Sequence, residues 1–355
     1  MAAAFVSPHG MAMSSALAGQ STALRSSLRL ELVGPALDER LTEAVTLLDA
    51  GDLASARVAF SRILALADAE RDDRLRAEAR LGLGTCLYHE GDLAASVEAL
   101  SLALVLCRES AVDTLLLQAR ILDRRSRCHR RERRWGAARA DVDAALALVD
   151  PFCEPLLAAC LTFQGSLIAE RTGQTLVARC LAEQAHDLLV GLGDRRVLAR
   201  VLNNLGGLNH LLGDDERAVN LLEQAYAEAV AAGSEPDAAQ ALSSLAQVEV
   251  GLGLHEQGEE RARQAISLLE GRADFADELG NATLVLARAL RAAGRDEEAA
   301  REARRAGAVF GKLGHVSAVA ATRVFEGDLA RDRGDVETAA TLYRDAAERL
   351  QDFRF

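Results

Sequence analysis

The sequence predicts an all-α chain of about eight stacked helix–turn–helix units. Three observations carry that expectation. Turn signals recur at an almost constant interval, apolar residues recur with the period of a helix, and residues suited to sheets are scarce. The turn signals are Gly51-Asp52, Gly91-Asp92, Gly173-Gln174, Gly213-Asp214, Gly253-Leu254, Gly294-Arg295 and Gly334-Asp335. Arg133-Arg134 stands where one more is due, and the steps are then 40, 42, 40, 40, 40, 41 and 40. Of 355 residues half are hydrophobic, but only nine Phe, three Tyr and one Trp are aromatic and five are Pro. A core built of Ala, Leu and Val suits closely packed helices better than a sandwich of sheets.

Residues 1–35 are expected to be a disordered leader. They are rich in Ala, Ser, Met and Gly, and the first acidic residue is Glu31. Pro8, His9 and Gly10 interrupt the apolar stretch and no arginine precedes Arg25, which argues against a signal peptide. From there the repeats are expected near 36–71, 72–110, 111–151, 152–192, 193–233, 234–271, 272–314 and 315–352. Each holds two helices, one before its turn (Ala77 to Glu90, Arg200 to Leu212) and one after it (Leu93 to Leu106, Glu216 to Val230). Within the latter, Ala218, Leu221, Leu222 and Ala225 form one apolar face. Glycine permits the reversal and the residue after it opens the next helix. Pro35, Pro151, Pro155 and Pro236 fall near predicted helix starts, where proline is tolerated. The acidic last helix, Val336 to Leu350, is expected to cap the stack.

The units resemble tetratricopeptide repeats in the longer form of roughly 40 residues. Leu83-Gly84, Gly91-Asp92 and Ala103 carry the resemblance, as do Leu205-Gly206, Gly213-Asp214, Ala218 and Ala225. In the last unit Gly327, Gly334-Asp335, Ala339, Tyr343 and Ala346 do so. Other units depart from the pattern. The first has Glu43-Ala44 in place of Leu-Gly, the third lacks its turn glycine, and the fourth has Gly165 one residue early. The resemblance covers about residues 38–351. It implies an α-solenoid coiled as a right-handed superhelix, with the first helix of each repeat lining a concave groove. Stacked repeats bury their apolar faces only against neighbours, giving a single solenoid after the leader.

Charge and composition exclude several classes of function. The net charge is −12, which disfavours general binding to nucleic acid or anionic membranes. Lys312 follows Gly307 and Gly311 one residue short of P-loop spacing and without the Ser or Thr after it, and there is no other lysine for a P-loop, a Schiff base or a kinase-like ion pair. The seven histidines make no HExxH, and Gly82-Leu83-Gly84 lies in a helix pattern rather than after a strand. Six cysteines form no CxxC pair, so a reduced cytoplasmic protein with buried thiols is expected. No run of about 20 apolar residues is present to span a membrane. An enzyme, a cofactor and a metal are therefore not expected. The Ala, Arg and Leu bias suggests a high-GC bacterial source.

Two constellations stand out. From Arg120 to Arg134, eight arginines face two carboxylates, a net +6 that leaves the rest of the chain at −18. Arg120, Arg124, Arg127 and Arg131 are spaced 4, 3 and 4 and form one helical stripe. Guanidinium groups suit carboxylates and phosphates, so this stripe is a candidate site for an acidic partner segment. The alternative is a solvated face neutralised by neighbouring acids. Cys128, among these arginines and beside His129, is expected to have a lowered pKa. Trp135 is expected to start the following helix and pack in its core. With so few aromatics interleaved, base stacking is not expected.

The second constellation is Leu202-Asn203-Asn204-Leu205-Gly206. It resembles a stretch in the peptide-binding repeats of kinesin light chains and bacterial quorum-sensing regulators. An Asn amide both donates and accepts, so it can hold the backbone of an extended peptide. Ser243, Ser244 and Gln247, then Asn281, Arg288 and Arg291, take equivalent helix positions and extend the polar track. The alternative is that Asn203 or Asn204 bonds neighbouring helix backbone. The expected function is a protein- or peptide-binding scaffold or regulator. A second reading is the sensory subunit of a bacterial signalling or transcription-control system whose output module is on another chain. A third is a small-anion sensor using the arginine stripe.

Overall fold

The computed structural model describes residues 37–110, 113–272 and 275–351. The expected leader lies outside them. Sixteen α-helices and no strands occur among the described residues. They are α1 (Leu37–Asp49), α2 (Leu53–Glu70), α3 (Asp73–Glu90), α4 (Leu93–Glu109), α5 (Leu115–Arg131), α6 (Trp135–Leu146) and α7 (Pro155–Arg171). There follow α8 (Thr175–Leu189), α9 (Arg195–Leu211), α10 (Asp215–Ala231), α11 (Glu235–Gly251), α12 (His255–Leu269), α13 (Ala276–Ala292), α14 (Asp296–Lys312), α15 (Val316–Asp332) and α16 (Val336–Gln351). They form two compact units, one ending at Ile168 and the other beginning at Ala169, both within α7.

The Gly-Asp pair works as a double cap. Gly91 has φ +90°, a conformation free of strain only without a Cβ. The Asp92 N–H then reaches back to the Leu87 carbonyl at 3.0 Å, closing α3. The Asp92 carboxylate in turn accepts from the Ala95 N–H at 3.1 Å, opening α4. Gly213-Asp214 and Gly334-Asp335 repeat the arrangement. At the turn without glycine, Arg133 itself adopts φ +59°, and the Arg134 N–H reaches the His129 carbonyl at 2.8 Å. The expected turn is present, made by a residue that carries a Cβ penalty there.

Small residues let paired helices approach closely. A Cβ on Gly84 would lie 2.8 Å from Leu100 Cγ, and one on Gly206 would lie 2.5 Å from Leu222 Cγ. Ala103, Ala218, Ala225 and Ala339 are buried where their helices meet. In the first repeat Ala44, fully buried, takes the place of glycine. Next-neighbour packing joins first helices: α1 to α3 and α3 to α5 in the N-terminal unit, α9 to α11 and α11 to α13 in the C-terminal unit. First helices therefore lie on the more tightly packed side of each unit.

Pro155 and Pro236 lie in the first turns of α7 and α11, as expected. Trp135 does start α6 but is only half-buried, so it is not the core residue expected. It stands directly after the turn, where the chain is still at the surface. The last helix, α16, buries only Ala339 and Ala346. No helix among the described residues is long and apolar enough to cross a membrane.

Candidate ligand-binding surfaces on the first helices

In the N-terminal unit the arginine stripe lies on α5, facing the end of α3. The Tyr88 ring meets the guanidinium groups of Arg131 at 5.0 Å and Arg124 at 5.5 Å from its centroid. Arg131 Nη1 also donates to the Tyr88 carbonyl at 2.9 Å. Arg127 Nε donates to both oxygens of Asp123, one turn before it, at 3.0 and 3.1 Å. Asp123 is buried and Arg127 nearly so. Beyond the stripe, Arg125 makes a two-pronged pair with Asp141 of α6, at 2.6 and 2.8 Å. Arg124 is half-buried, and its Nη1 is enclosed without a hydrogen-bond partner. Burial and the neighbouring Arg127 charge pull its pKa down. Arg120 is half-buried one turn earlier, and its charge helps hold down Glu78, whose carboxyl is raised chiefly by burial.

Cys128 differs from expectation. It is fully buried, with its thiol 3.2 Å from Ser96 Oγ, and burial raises its pKa. Loss of solvation outweighs the nearby arginine charges, so the thiol is not activated. Among the described residues no group of His, Cys, Asp and Glu is gathered to hold a metal ion.

In the C-terminal unit the other expected residues lie on three successive first helices. On α9 the Asn204 amide donates to Glu170 Oε2 at 2.8 Å, and Asn203 Oδ1 is buried without a hydrogen-bond partner. On α11 Ser243 turns back to the Ala239 carbonyl at 2.8 Å, Ser244 is half-buried and Gln247 is exposed. On α13 Asn281 and Arg288 are exposed. Gly207, Gln247, Arg288 and Asp328 each lie six residues before their turn glycine, so they occupy one register position on α9, α11, α13 and α15.

A groove of about 720 Å³ runs between α13 and α15. Arg288, Arg291 and Ala292 line one wall; Ala321, Val324, Phe325 and Asp328 line the other. Arg291 pairs with Asp328 and Asp332 and lies over the Phe325 ring at 5.6 Å. Arg288 makes no hydrogen bond, ion pair or ring contact among the described residues, and burial alone lowers its pKa. The α15 wall was not anticipated, although the repeat interval could have found it. Val324 and Phe325 stand at the positions that Asn203 and Asn204 hold in α9.

The tetratricopeptide repeat family pattern matches residues 41–114. No curated protein matches the sequence. Among solved structures, the apo form of the quorum sensor NprR from B. thuringiensis superposes with a TM-score of 0.71 at 12% identity, over 93% of each chain. A Rap protein complexed with competence and sporulation factor gives 0.66 at 17% identity, over 89% of this chain and 92% of its own. The STAND protein PH0952 from Pyrococcus horikoshii, which has a tetratricopeptide repeat sensor, gives 0.63 at 14% identity, over 94% of this chain and 48% of that one. At such identities the likeness is one of fold. Residues 41–114 are tetratricopeptide repeats, and most of the chain shares the helical-repeat fold of these structures.

The second tetratricopeptide repeat carries a built-in pH response. Burial, together with the charges of Arg124, Arg131 and Arg127, pushes His89 down to about 4 from an ordinary 6.5. Between those values the unfolded chain holds a proton that the folded chain refuses, so stability falls as pH drops through the window. The parent is expected to lose more thermal stability than His89→Gln between about pH 7 and pH 4.5. Equal losses in the two proteins would rule out this histidine as the cause.

Proposed function

We propose that this tetratricopeptide repeat protein is a non-enzymatic regulator that binds an extended peptide or protein segment along its first helices. The observation that carries the reading is the row Asn203, Asn204, Ser244, Gln247, Asn281 and Arg288. It is polar and largely uncharged, with Asn204 and Ser244 sharing one register position and Gln247 and Arg288 another, on helices whose other faces are largely buried and apolar. Amides at such intervals suit a peptide backbone, which presents a donor and an acceptor at every residue. The likeness in fold to a quorum sensor and to a Rap protein bound to competence and sporulation factor supports the same reading.

Arg120, Arg124, Arg127 and Arg131 have a lesser place in this proposal. Arg127 and Arg131 already have internal partners, so an acidic segment would gain chiefly from Arg120 and Arg124. The partner is a protein or peptide, with acidic residues where it meets α5. Nucleic acid and membrane are not part of the proposal, and the cytoplasm is its setting. The likeness to a signal-transduction ATPase with a tetratricopeptide repeat sensor supports a second reading, in which the chain senses for a separate output module.

The test is affinity capture from the native host followed by mass spectrometry. Gln247→Ala combined with Asn281→Ala alters two exposed side chains and leaves helicity unchanged. A partner recovered with the parent is expected to be lost with this variant. Undiminished recovery would remove the track from the binding surface.

A further inference from the structure

Large apolar residues stand immediately beside the turn glycine within a repeat only in the fifth and sixth repeats, as Leu212, Leu252 and Leu254. The residue after the turn opens the second helix, and in every other repeat it is polar. Leu254 takes that place in the sixth, with backbone angles (φ −86°, ψ 59°) close to those of the capping Asp214 (φ −96°, ψ 70°). Its side chain cannot accept from the free N–H groups, so α12 forgoes a stabilising cap. Leu254 is 45% exposed, so packing returns little for that loss. A local rule broken without a gain inside the fold points to a role outside it.

The same edge of the C-terminal unit carries Leu211, 67% exposed, and Leu252, 46% exposed. The two turns are neighbours, since a Cβ on Gly251 would lie 3.5 Å from His210 Cε1. Carboxylates accompany the leucines: Asp214 and Glu216 are exposed on the fifth repeat and Glu256 on the sixth. Arg217, next to them in sequence, is paired with Glu183, and His210 lies 2.6 Å from Asp215. The edge therefore joins exposed apolar side chains to an excess of negative charge.

We propose that the turn edge of the fifth and sixth repeats docks a basic amphipathic helix of a partner protein. The partner's apolar stripe covers Leu211, Leu252 and Leu254, and its lysines or arginines meet Glu216 and Glu256. The contact stands apart from the peptide-binding reading above, because it lies on the turns and not along the first helices. Packed helices such as α9 and α11 lie about 8–10 Å apart, so leucines on adjacent turns are spaced by about that much. Residues seven apart on one face of a helix are separated by about 10 Å, a matching interval. Same-facing residues of an extended segment are about 7 Å apart and do not match it. A second copy of this chain would set the same carboxylates against each other, which like-charge repulsion disfavours.

The test uses the full chain and fluorescence anisotropy with labelled model peptides of about 18 residues, long enough to form a helix. One is built of Leu and Lys with its leucines on one helical face. In a second Glu replaces Lys, and in a third the leucines are scattered around the helix. The parent is expected to bind the first about tenfold or more tightly than either of the others. Leu211→Gln, Leu252→Gln and Leu254→Asn combined should weaken that binding about tenfold or more. Gln247→Ala combined with Asn281→Ala, on the first helices, should leave it unchanged. Leu254→Asn alone should raise the thermal midpoint, since Asn supplies the missing cap.

Retention of full binding by the triple leucine variant overturns the proposal. Loss of binding in the Gln247→Ala, Asn281→Ala variant does so as well, and places the helix on the first-helix track. A lowered thermal midpoint for Leu254→Asn makes that leucine part of the packing and removes the ground for a docking role. Failure of the parent to prefer the Leu and Lys peptide overturns the docking edge and leaves the peptide-binding reading to its own test. Self-association of the parent, measured by analytical ultracentrifugation and abolished in the triple variant, overturns the proposal in favour of a second copy.

Discussion

Gly206→Ala is expected to destabilise the protein by about 1–3 kcal/mol, whereas Gly207→Ala should stabilise it by about 0.5–1 kcal/mol. The two residues are neighbours in α9 and each gains one methyl group. At Gly206 that group would lie 2.5 Å from Leu222 Cγ and 3.2 Å from the Ala218 carbonyl oxygen. Leu222 is fully buried, and the Ala218 oxygen is backbone, so neither can yield without moving α10. A close-packed interior resists such insertion because its neighbours have no free volume to move into. At Gly207 nothing lies within 4 Å, so only the helix-propensity gain remains. Urea denaturation followed by circular dichroism measures both midpoints. Shifts of the same sign would refute the steric account.

Asp123→Ala should cost about 3–5 kcal/mol, the usual penalty for leaving a buried charge without its partner. The side chains of Asp123 and Arg127 are only 7% and 13% exposed. Removing the carboxylate leaves Arg127 with no anion and beside the poorly solvated Arg124. Asp123→Leu combined with Arg127→Leu should recover most of the loss, because two buried charges are then replaced by apolar groups of similar size. Comparison of the single and double variants by chemical denaturation decides the matter. A double variant as unstable as Asp123→Ala would place the defect in local packing rather than in charge. Recovery would also mark Arg127 as structural, which narrows the stripe expected to contact a partner.

The hairpins were legible because their signals are local. Glycine at C′, aspartate at the following N-cap and apolar residues one and two turns apart act within a few residues of each other. They recur at an interval that chance does not produce. Even the turn at Arg133 was readable, since the interval demanded a reversal where no glycine stood. The sites were legible only in outline. Spacing placed Arg120, Arg124, Arg127 and Arg131 on one stripe and placed Asn203, Asn204, Ser244, Gln247, Asn281 and Arg288 on first helices. It did not reveal that Arg131 is held by Tyr88, 43 residues away, or that Asn204 meets Glu170, 34 residues away. Cys128 illustrates the same gap. Its sequence neighbours are cationic, yet burial against Ser96 of another helix raises its pKa.

Sequence alone determined the repeat length, the helix pairs and the close-contact residues, because those follow from backbone conformation and side-chain size at fixed spacing. The tertiary structure alone decided which charges are spent inside the fold and which stand open in a groove. That distinction depends on partners brought together by stacking. Arg127 and Arg288 are the same residue type at the same distance from their turns, yet one is neutralised by a buried aspartate and the other opens onto an apolar groove. A guanidinium reports its neighbours' charge and its own solvation, and neither is written in its position along the chain.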